Sequence, residues 1–298
     1  MSKVGFIGLG IMGKPMASHL AKAGIDLTVC DLDPAPVAEL CALGAKPAAS
    51  YEEMGRECDI ILTILPTGAI VREVLFGEGG VAAQLTPGKL VCDMSSVTPG
   101  ESQECYNRLK EMGVGFVDAP VSGGEPGAIA ATLAIMCGGE QADFDRLYPL
   151  FEIMGSSALL IGESGAGSVT KLANQIIVNM NIATVAEALT LATKAGVDPM
   201  KVYKAIRGGL AGSTVLDAKA PMMCSRNFTP GGTIRVNHKD IKNVLATAHE
   251  IDVPVPLTAQ LFEIQQALKV SGHMDDDHSG YVQYFEQLAD VTVQSDEV

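Results

Sequence analysis

The sequence is poor in positive charge. Its 298 residues hold 21 lysines and arginines against 35 aspartates and glutamates, a formal net charge of −14. Such a surface repels the phosphates of nucleic acids and anionic lipids, so neither is expected as a partner. Paired cysteines are also missing. The seven present (Cys30, Cys41, Cys58, Cys92, Cys105, Cys137 and Cys224) are odd in number, scattered, and never spaced as C-x-x-C. They read as reduced core residues of a cytoplasmic protein rather than as a disulfide framework. A strand pattern starts at once in KVGFIGLG, which leaves no room for a signal peptide. No internal repeat, low-complexity segment, Ser-His-Asp or Cys-His arrangement stands out.

One stretch, Gly167 to Gly196, is apolar enough to suggest a membrane span. It carries Asn174, Gln175, Asn179, Asn181 and Glu187. Hydrocarbon tolerates such groups only at high cost, so this long helix is expected inside protein. With 47% apolar residues the chain can build a real core.

What the chain does have is alternation. Apolar strand patterns (KVGFIGLG, IDLTVCD, DIILTIL, KLVCDMSS) alternate with helical ones. Asp33-Pro34 and Thr98-Pro99 mark helix starts, Gly24 marks a helix end, and Ser50 with Glu53 fits a capping box. GVGFVDAPVSGG, ATLAIMCGG and SALLIGESG supply further strands, with a helix between the last two. Continuous apolar strands alternating with helices predict a parallel sheet covered on both faces. Past residue 163 only helical periodicity remains. The expected fold is an α/β Rossmann-type dinucleotide-binding domain over residues 1–163, followed by an all-α domain over residues 164–298.

Gly8, Gly10 and Gly13 form G-x-G-x-x-G at the end of the first strand, and the intervening Leu9, Ile11 and Met12 complete the loop. Alone the pattern is weak. Here a strand precedes it, a helix follows, and Asp31 ends the next strand 18 residues after Gly13. That context predicts a dinucleotide site, with the pyrophosphate at the helix N-terminus. Asp31 would accept hydrogen bonds from the adenosine ribose and oppose a 2′-phosphate, which favours NAD over NADP.

Three more stretches fall where strands should end on the same rim: LPT (Leu65 to Thr67), DMSS (Asp93 to Ser96) and DAPVSGG (Asp118 to Gly124). Ser122, Gly123 and Gly124 could form a backbone nest for a carboxylate, or an ordinary turn. On the long helix, Lys171, Asn174 and Gln175 share one face at i, i+3 and i+4. Buried polar groups need partners, and a cleft between two domains would supply them. A helix N-terminus and partial burial both lower a lysine pKa, whereas a substrate carboxylate opposes that. Lys171 could therefore act as a general acid, or simply snorkel from a helix end. HMDDDH (His273 to His278) offers metal ligands in kind but matches no ligand spacing, so it reads as a solvated loop and no metal is expected. His238 and His249 lie in helical patterns and read as structural.

FIGLGIMGKPMASHL, DMSS, DAPVSGGEPGA, GAGSVTKLANQ and HKDI stand in this order and span almost the whole chain. Together they resemble the β-hydroxyacid dehydrogenase family. The resemblance implies reversible hydride transfer between NAD(H), or also NADP(H), and a small carboxylate substrate. The TKLANQ segment and residues 187–221 are similar to the branch that reduces 2-hydroxy-3-oxopropanoate. By matched position, Lys171 would be the catalytic acid/base, and Ser122, Gly123 and Gly124 would hold the substrate carboxylate. Asn174 and Gln175 would line the substrate site, while Leu65, Pro66, Ser96 and Lys239 would join the glycine loop on the cofactor. Gln175 replaces the second Asn of many relatives, and His19 replaces an Asn with no catalytic effect expected. A homodimer or homotetramer is implied as well. The alternatives are another hydroxyacid, such as 3-hydroxyisobutyrate, or a silent dinucleotide-binding scaffold.

Overall fold

The computed structural model describes residues 2–297. The chain divides into two compact units, Met1–Lys171 and Leu172–Val298. Within the first unit the elements run β1 (Val4–Ile7), α1 (Gly13–Lys22), β2 (Leu27–Cys30), α2 (Pro34–Ala42), β3 (Lys46–Pro47), α3 (Tyr51–Glu57), β4 (Ile60–Thr63) and α4 (Gly68–Phe76). They continue as β5 (Leu90–Asp93), α5 (Pro99–Glu111), β6 (Gly115–Asp118), β7 (Val121–Ser122), α6 (Gly124–Ala130), β8 (Leu133–Gly139), α7 (Gln141–Met154) and β9 (Gly155–Gly162).

The sheet order is β3-β2-β1-β4-β5-β6-β8-β7, with β9 on β8. Strands β1 to β6 pair in parallel, so successive strands need helical crossovers. Side chains alternate between the two faces. Phe6, Leu62, Cys92 and Val117 join one buried cluster, while Ile7, Ile61, Val91 and Phe116 join the other. Helices cover both faces, which is why these strands read as unbroken apolar runs. The strand order reverses between β1 and β4, and ligands of such sheets bind outside the carboxyl ends at that point.

The sheet is not parallel throughout. Strand β8 runs antiparallel to both β6 and β7, and only β9 restores a parallel pairing. Helices α4 and α6 are not among the elements expected from the sequence. Local signals are otherwise followed. Asp33 caps α2 through the Ala35 N–H, and Thr98 forms a full capping box with Glu101. Ser50 caps α3 through the Glu53 N–H, but the Glu53 carboxylate takes the Ala49 N–H instead of completing a box.

Helix α8 (Ala166–Lys194) begins in the first unit and continues in the second. It is followed by α9 (Pro199–Ile206), α10 (Thr214–Ser225), α11 (Ile234–Glu250), α12 (Pro256–Val270) and α13 (Val282–Ala289). Their apolar stripes meet around Leu189, Leu216, Ile241, Leu261 and Tyr281. Helix α8 is long and apolar enough to cross a membrane by length and composition. The expectation that protein covers it fully is not met in the single chain, where Val169, Ile177 and Leu191 are exposed. All seven cysteines are free, five of them buried, with Cys30 and Cys41 half-buried.

Candidate active site

The glycine loop follows β1 at the reversal of strand order. Gly8 has φ +96°, a conformation that side chains rarely adopt. A Cβ on Gly13 would overlap the Gly8 carbonyl oxygen, so this glycine lets α1 start hard against the loop. Gly10 differs. A Cβ there would meet no protein atom within 4 Å, so its bareness leaves room for something outside the protein. The N-terminus of α1 carries no side-chain cap at Met12. Bare backbone, an open approach and an uncapped helix start fit a pyrophosphate. Asp31 lies just past β2. Its Oδ2 accepts the Leu9 N–H at 2.5 Å and its Oδ1 accepts the Asp33 N–H at 2.8 Å. Asp31 thus ties the glycine loop to the end of β2.

The next two strand ends are joined by a buried carboxylate, Asp93, the first residue of the DMSS stretch, for which the sequence suggests no role of its own. Asp93 Oδ1, at the end of β5, accepts the hydroxyls of Thr63 at 2.8 Å and Ser95 at 2.5 Å. Ser95 Oγ in turn accepts the Leu65 N–H at 2.8 Å. This chain of bonds shapes both loops that carry Leu65, Pro66 and Ser96. Burial pushes the Asp93 carboxyl up, against the hydrogen bonds from Ser95 and Thr63.

Asp118 ends β6, one strand further along, in register with Asp93. Its Oδ1 accepts the Gly165 N–H at 2.7 Å and its Oδ2 the Ser168 N–H at 2.8 Å. It therefore caps the start of α8, supplying acceptors for N–H groups with no partner inside the helix. Burial pushes this carboxyl up to about 6, although both amides pull it down. The helix start lies close to the sheet: a Cβ on Gly167 would overlap the Met136 carbonyl oxygen and crowd Asp118. Ser168 Oγ also meets Ser102 Oγ of α5 at 2.9 Å.

One turn further along α8, the Lys171 side chain is only 8% exposed, and its Nζ donates to the Val121 carbonyl oxygen at 2.7 Å. Val121 immediately precedes the Ser122–Gly124 turn. Gly123 and Gly124 both have positive φ, +141° and +62°, as that turn requires. The first unit thus brings the lysine amine to the edge of the predicted carboxylate nest.

The second unit arranges its polar groups through side chains. Asn174 Nδ2 donates to Gln175 Oε1 at 2.9 Å, and Gln175 Nε2 donates to Asp240 Oδ2 at 2.5 Å. Asp240 Oδ1 lies 3.1 Å from Lys239 Nζ. Asn237, one turn earlier on α11, contacts His278 Nδ1 at 2.9 Å. Burial, with help from the Lys219 charge, lowers His278 to about 4 against the pull of Asp277. Neither Asn237 nor Asp240 belongs to the residues expected in the site. The acid that follows Lys239 in HKDI is the one signal that points to Asp240.

The acidic run takes separate partners. Asp275 pairs with Arg235, Asp276 with His273, and fully buried Asp277 with Lys219 at 2.9 Å. Among the described residues no cluster of three or more metal-ligating side chains forms. His19 contacts the carbonyl oxygens of Ala128 and Ile129, joining α1 to the end of α6. His238 contacts Gln266 and stacks on Phe262.

A doubly wound sheet with this glycine loop at its switch point fits a dinucleotide-dependent oxidoreductase. Comparison with known proteins sharpens that. The family of the NAD binding domain of 6-phosphogluconate dehydrogenase matches residues 3–162. The family described as NAD-binding of NADP-dependent 3-hydroxyisobutyrate dehydrogenase matches residues 165–285. The chain is 43% identical to 2-hydroxy-3-oxopropionate reductase of Escherichia coli, covering 96% of this chain and 98% of that one. It is 37% identical to 2-(hydroxymethyl)glutarate dehydrogenase of Eubacterium barkeri, covering 98% and 97%. The solved 3-hydroxyisobutyrate dehydrogenase of Mycobacterium tuberculosis superposes with a TM-score of 0.87 at 29% identity, covering 95% and 98%. The chain belongs to the β-hydroxyacid dehydrogenase family. It is an NAD(P)-dependent oxidoreductase acting on a CH–OH group.

Proposed function

We propose that this enzyme reduces tartronate semialdehyde (2-hydroxy-3-oxopropanoate) reversibly to D-glycerate, with NADH preferred over NADPH. The substrate reading is carried by the 43% identity to the Escherichia coli reductase, sustained over 96% of the chain. The bound nicotinamide supplies the hydride. Lys171 gives a proton to the aldehyde oxygen as its carbon is reduced, and takes it back in the reverse direction. Its amine rests 2.7 Å from the Val121 carbonyl, next to the turn assigned to the substrate carboxylate. Ser122, Gly123 and Gly124 hold that carboxylate with backbone N–H groups. Asn174 and Gln175 orient the substrate. Leu65, Pro66, Ser96 and Lys239 join the Gly8–Gly13 loop and Asp31 on the coenzyme, and Asp31 disfavours a 2′-phosphate.

The reading extends to a cytoplasmic homodimer or homotetramer. A second copy would cover the exposed Val169, Ile177 and Leu191 of α8. Light scattering that gives a monomer at assay concentration removes that part.

The deciding experiment follows coenzyme absorbance with tartronate semialdehyde and NADH, beside NADPH, and beside 3-hydroxyisobutyrate with NAD. Fast oxidation of NADH, slower with NADPH, is the expected result. Turnover of 3-hydroxyisobutyrate alone would move the substrate and keep Lys171. Tight NADH binding with no turnover on any substrate would leave a binding scaffold.

A further inference from the structure

Lys171 cannot work from an arbitrary place, and the first unit contains a closed loop of contacts that decides where it sits. The loop starts at Asp118, whose two oxygens take the N–H groups of Gly165 and Ser168 at 2.7 and 2.8 Å. Along α8 it runs one turn to Lys171, whose amine reaches the Val121 carbonyl at 2.7 Å. From Val121 the chain itself leads back over three residues to Asp118. Gly167 presses the helix start onto the Met136 carbonyl, and Ser102 holds Ser168 at 2.9 Å from the far side. One carboxylate therefore fixes both the helix that bears the lysine and the segment that bears the carboxylate-binding turn.

We propose that Asp118 is the positioning residue of this active site, holding the Lys171 amine in register with the Ser122–Gly124 turn only while its carboxylate is ionised. The inference rests on the general-acid reading of Lys171. An ionised carboxylate presents acceptors to both amides. Protonated, one oxygen becomes a hydroxyl and a poor acceptor, and the grip on one amide is lost. The groups that face Asp118 are Asp93 and Cys92 from β5 and Cys137 from β8; α8 faces it with backbone amides. Burial raises the Cys92 thiol well above its ordinary value and pushes Cys137 up to about 12, so both stay protonated through neutral pH.

Asp118 has a folded-state value raised from 3.8 to about 6. A proton is therefore bound more tightly in the fold than in the unfolded chain. Lowering the pH through that window makes the Asp118 contribution to folding more favourable while it loosens the helix start. Activity should fall on acidification without any loss of folded protein, a combination that a purely structural carboxylate would not produce.

The test uses the full chain and whichever small oxo- or hydroxyacid the wild type turns over, so that a wrong substrate assignment leaves it intact. Asp118→Asn keeps the shape but turns a donor toward one of the two amides. It should lower kcat about 10- to 100-fold, the loss that a displaced catalytic group produces. NADH affinity and cooperative melting should persist, and the wild type's acid limb in kcat near pH 6 should disappear from the variant. Lys171→Ala is measured alongside. If it stays active, the general-acid reading fails and this inference falls with it. If it is inactive while Asp118→Asn keeps wild-type kcat and the same acid limb, this inference alone is overturned. Should Asp118→Asn not fold, the wild type decides. Falling kcat through about 6 with the protein still folded and NADH affinity steady supports the proposal, and a flat kcat overturns it.

Discussion

The two units solve the same problem, buried polar groups, by opposite means. In the first, two strand-end carboxylates answer to backbone, while Asp93 takes the hydroxyls of Thr63 and Ser95. Asp31 takes the Leu9 and Asp33 amides, and Asp118 takes those of Gly165 and Ser168. In the second, the amides of Asn174 and Gln175 answer to other side chains, and Asp277 takes the Lys219 amine beside the Gly231 and Ser279 N–H groups. Asn174 leans on Gln175, and Gln175 on Asp240. A site built on backbone is positioned by the path of the chain. A site built on side-chain pairs depends on each partner, and removing one strands the other.

That contrast can be broken or sharpened by experiment. The largest effect is expected at the buried lysine whose amine rests on the Val121 carbonyl. Lys171→Ala should cut turnover by about 10²–10⁴-fold, the usual worth of general acid catalysis, with NADH binding barely changed. Steady-state kinetics beside a binding titration checks this, and near-normal turnover would take the role from Lys171.

In the second unit, Lys219→Ala strands Asp277, whose side chain is fully buried. Denaturant unfolding should show a loss of about 3–5 kcal/mol, as for breaking a buried pair from one side. A loss below about 1 kcal/mol would place the pair with weak surface bridges.

Acid should then divide the units. His278 has its folded value lowered from 6.5 to about 4, so the unfolded chain binds the proton more tightly. Its contribution is fully present above about 6.5 and is lost as pH falls toward 4. Asp118, raised to about 6, acts in the other direction over much of that range. Hydrogen exchange should show amides of α11 and α13 losing protection on acidification while β5 and β6 hold theirs. Equal loss in both units would remove the contrast.

The smallest effect separates two glycines of one loop. Gly10→Ala adds a methyl that meets no protein atom, whereas Gly13→Ala adds one that overlaps the Gly8 carbonyl. Gly10→Ala should weaken NADH about tenfold, equivalent to about 1.4 kcal/mol, with melting unchanged. Gly13→Ala should lower the melting temperature as well. Identical behaviour of the two would deny that Gly10 is kept bare for a ligand.

The same contrast explains what can be read in advance. The glycine loop is legible because only glycine satisfies φ +96° at Gly8 and the close approach at Gly13, so the constraint is written in residue type. Lys171 is legible as a cation on an apolar helix, and Ser122–Gly124 as consecutive small residues. Asp93 and Asp118 escape notice as ligands of the architecture, although LVCD and GFVD both end an apolar strand in an acid. Asp240 is harder to find, because its link to Gln175 joins residues 65 positions apart with no local pattern. The antiparallel turn of β8 is hidden for a related reason. Its antiparallel partner β7 is two residues long, too short to show a period, and helix α6 separates the two.

The amine of Lys171 rests on the carbonyl of Val121. Every amino acid carries that oxygen, so no point substitution at position 121 can delete this acceptor. Side chains around the turn can therefore change while the lysine amine keeps this foothold. The place of the amine is thereby insulated from sequence change in the turn beside it.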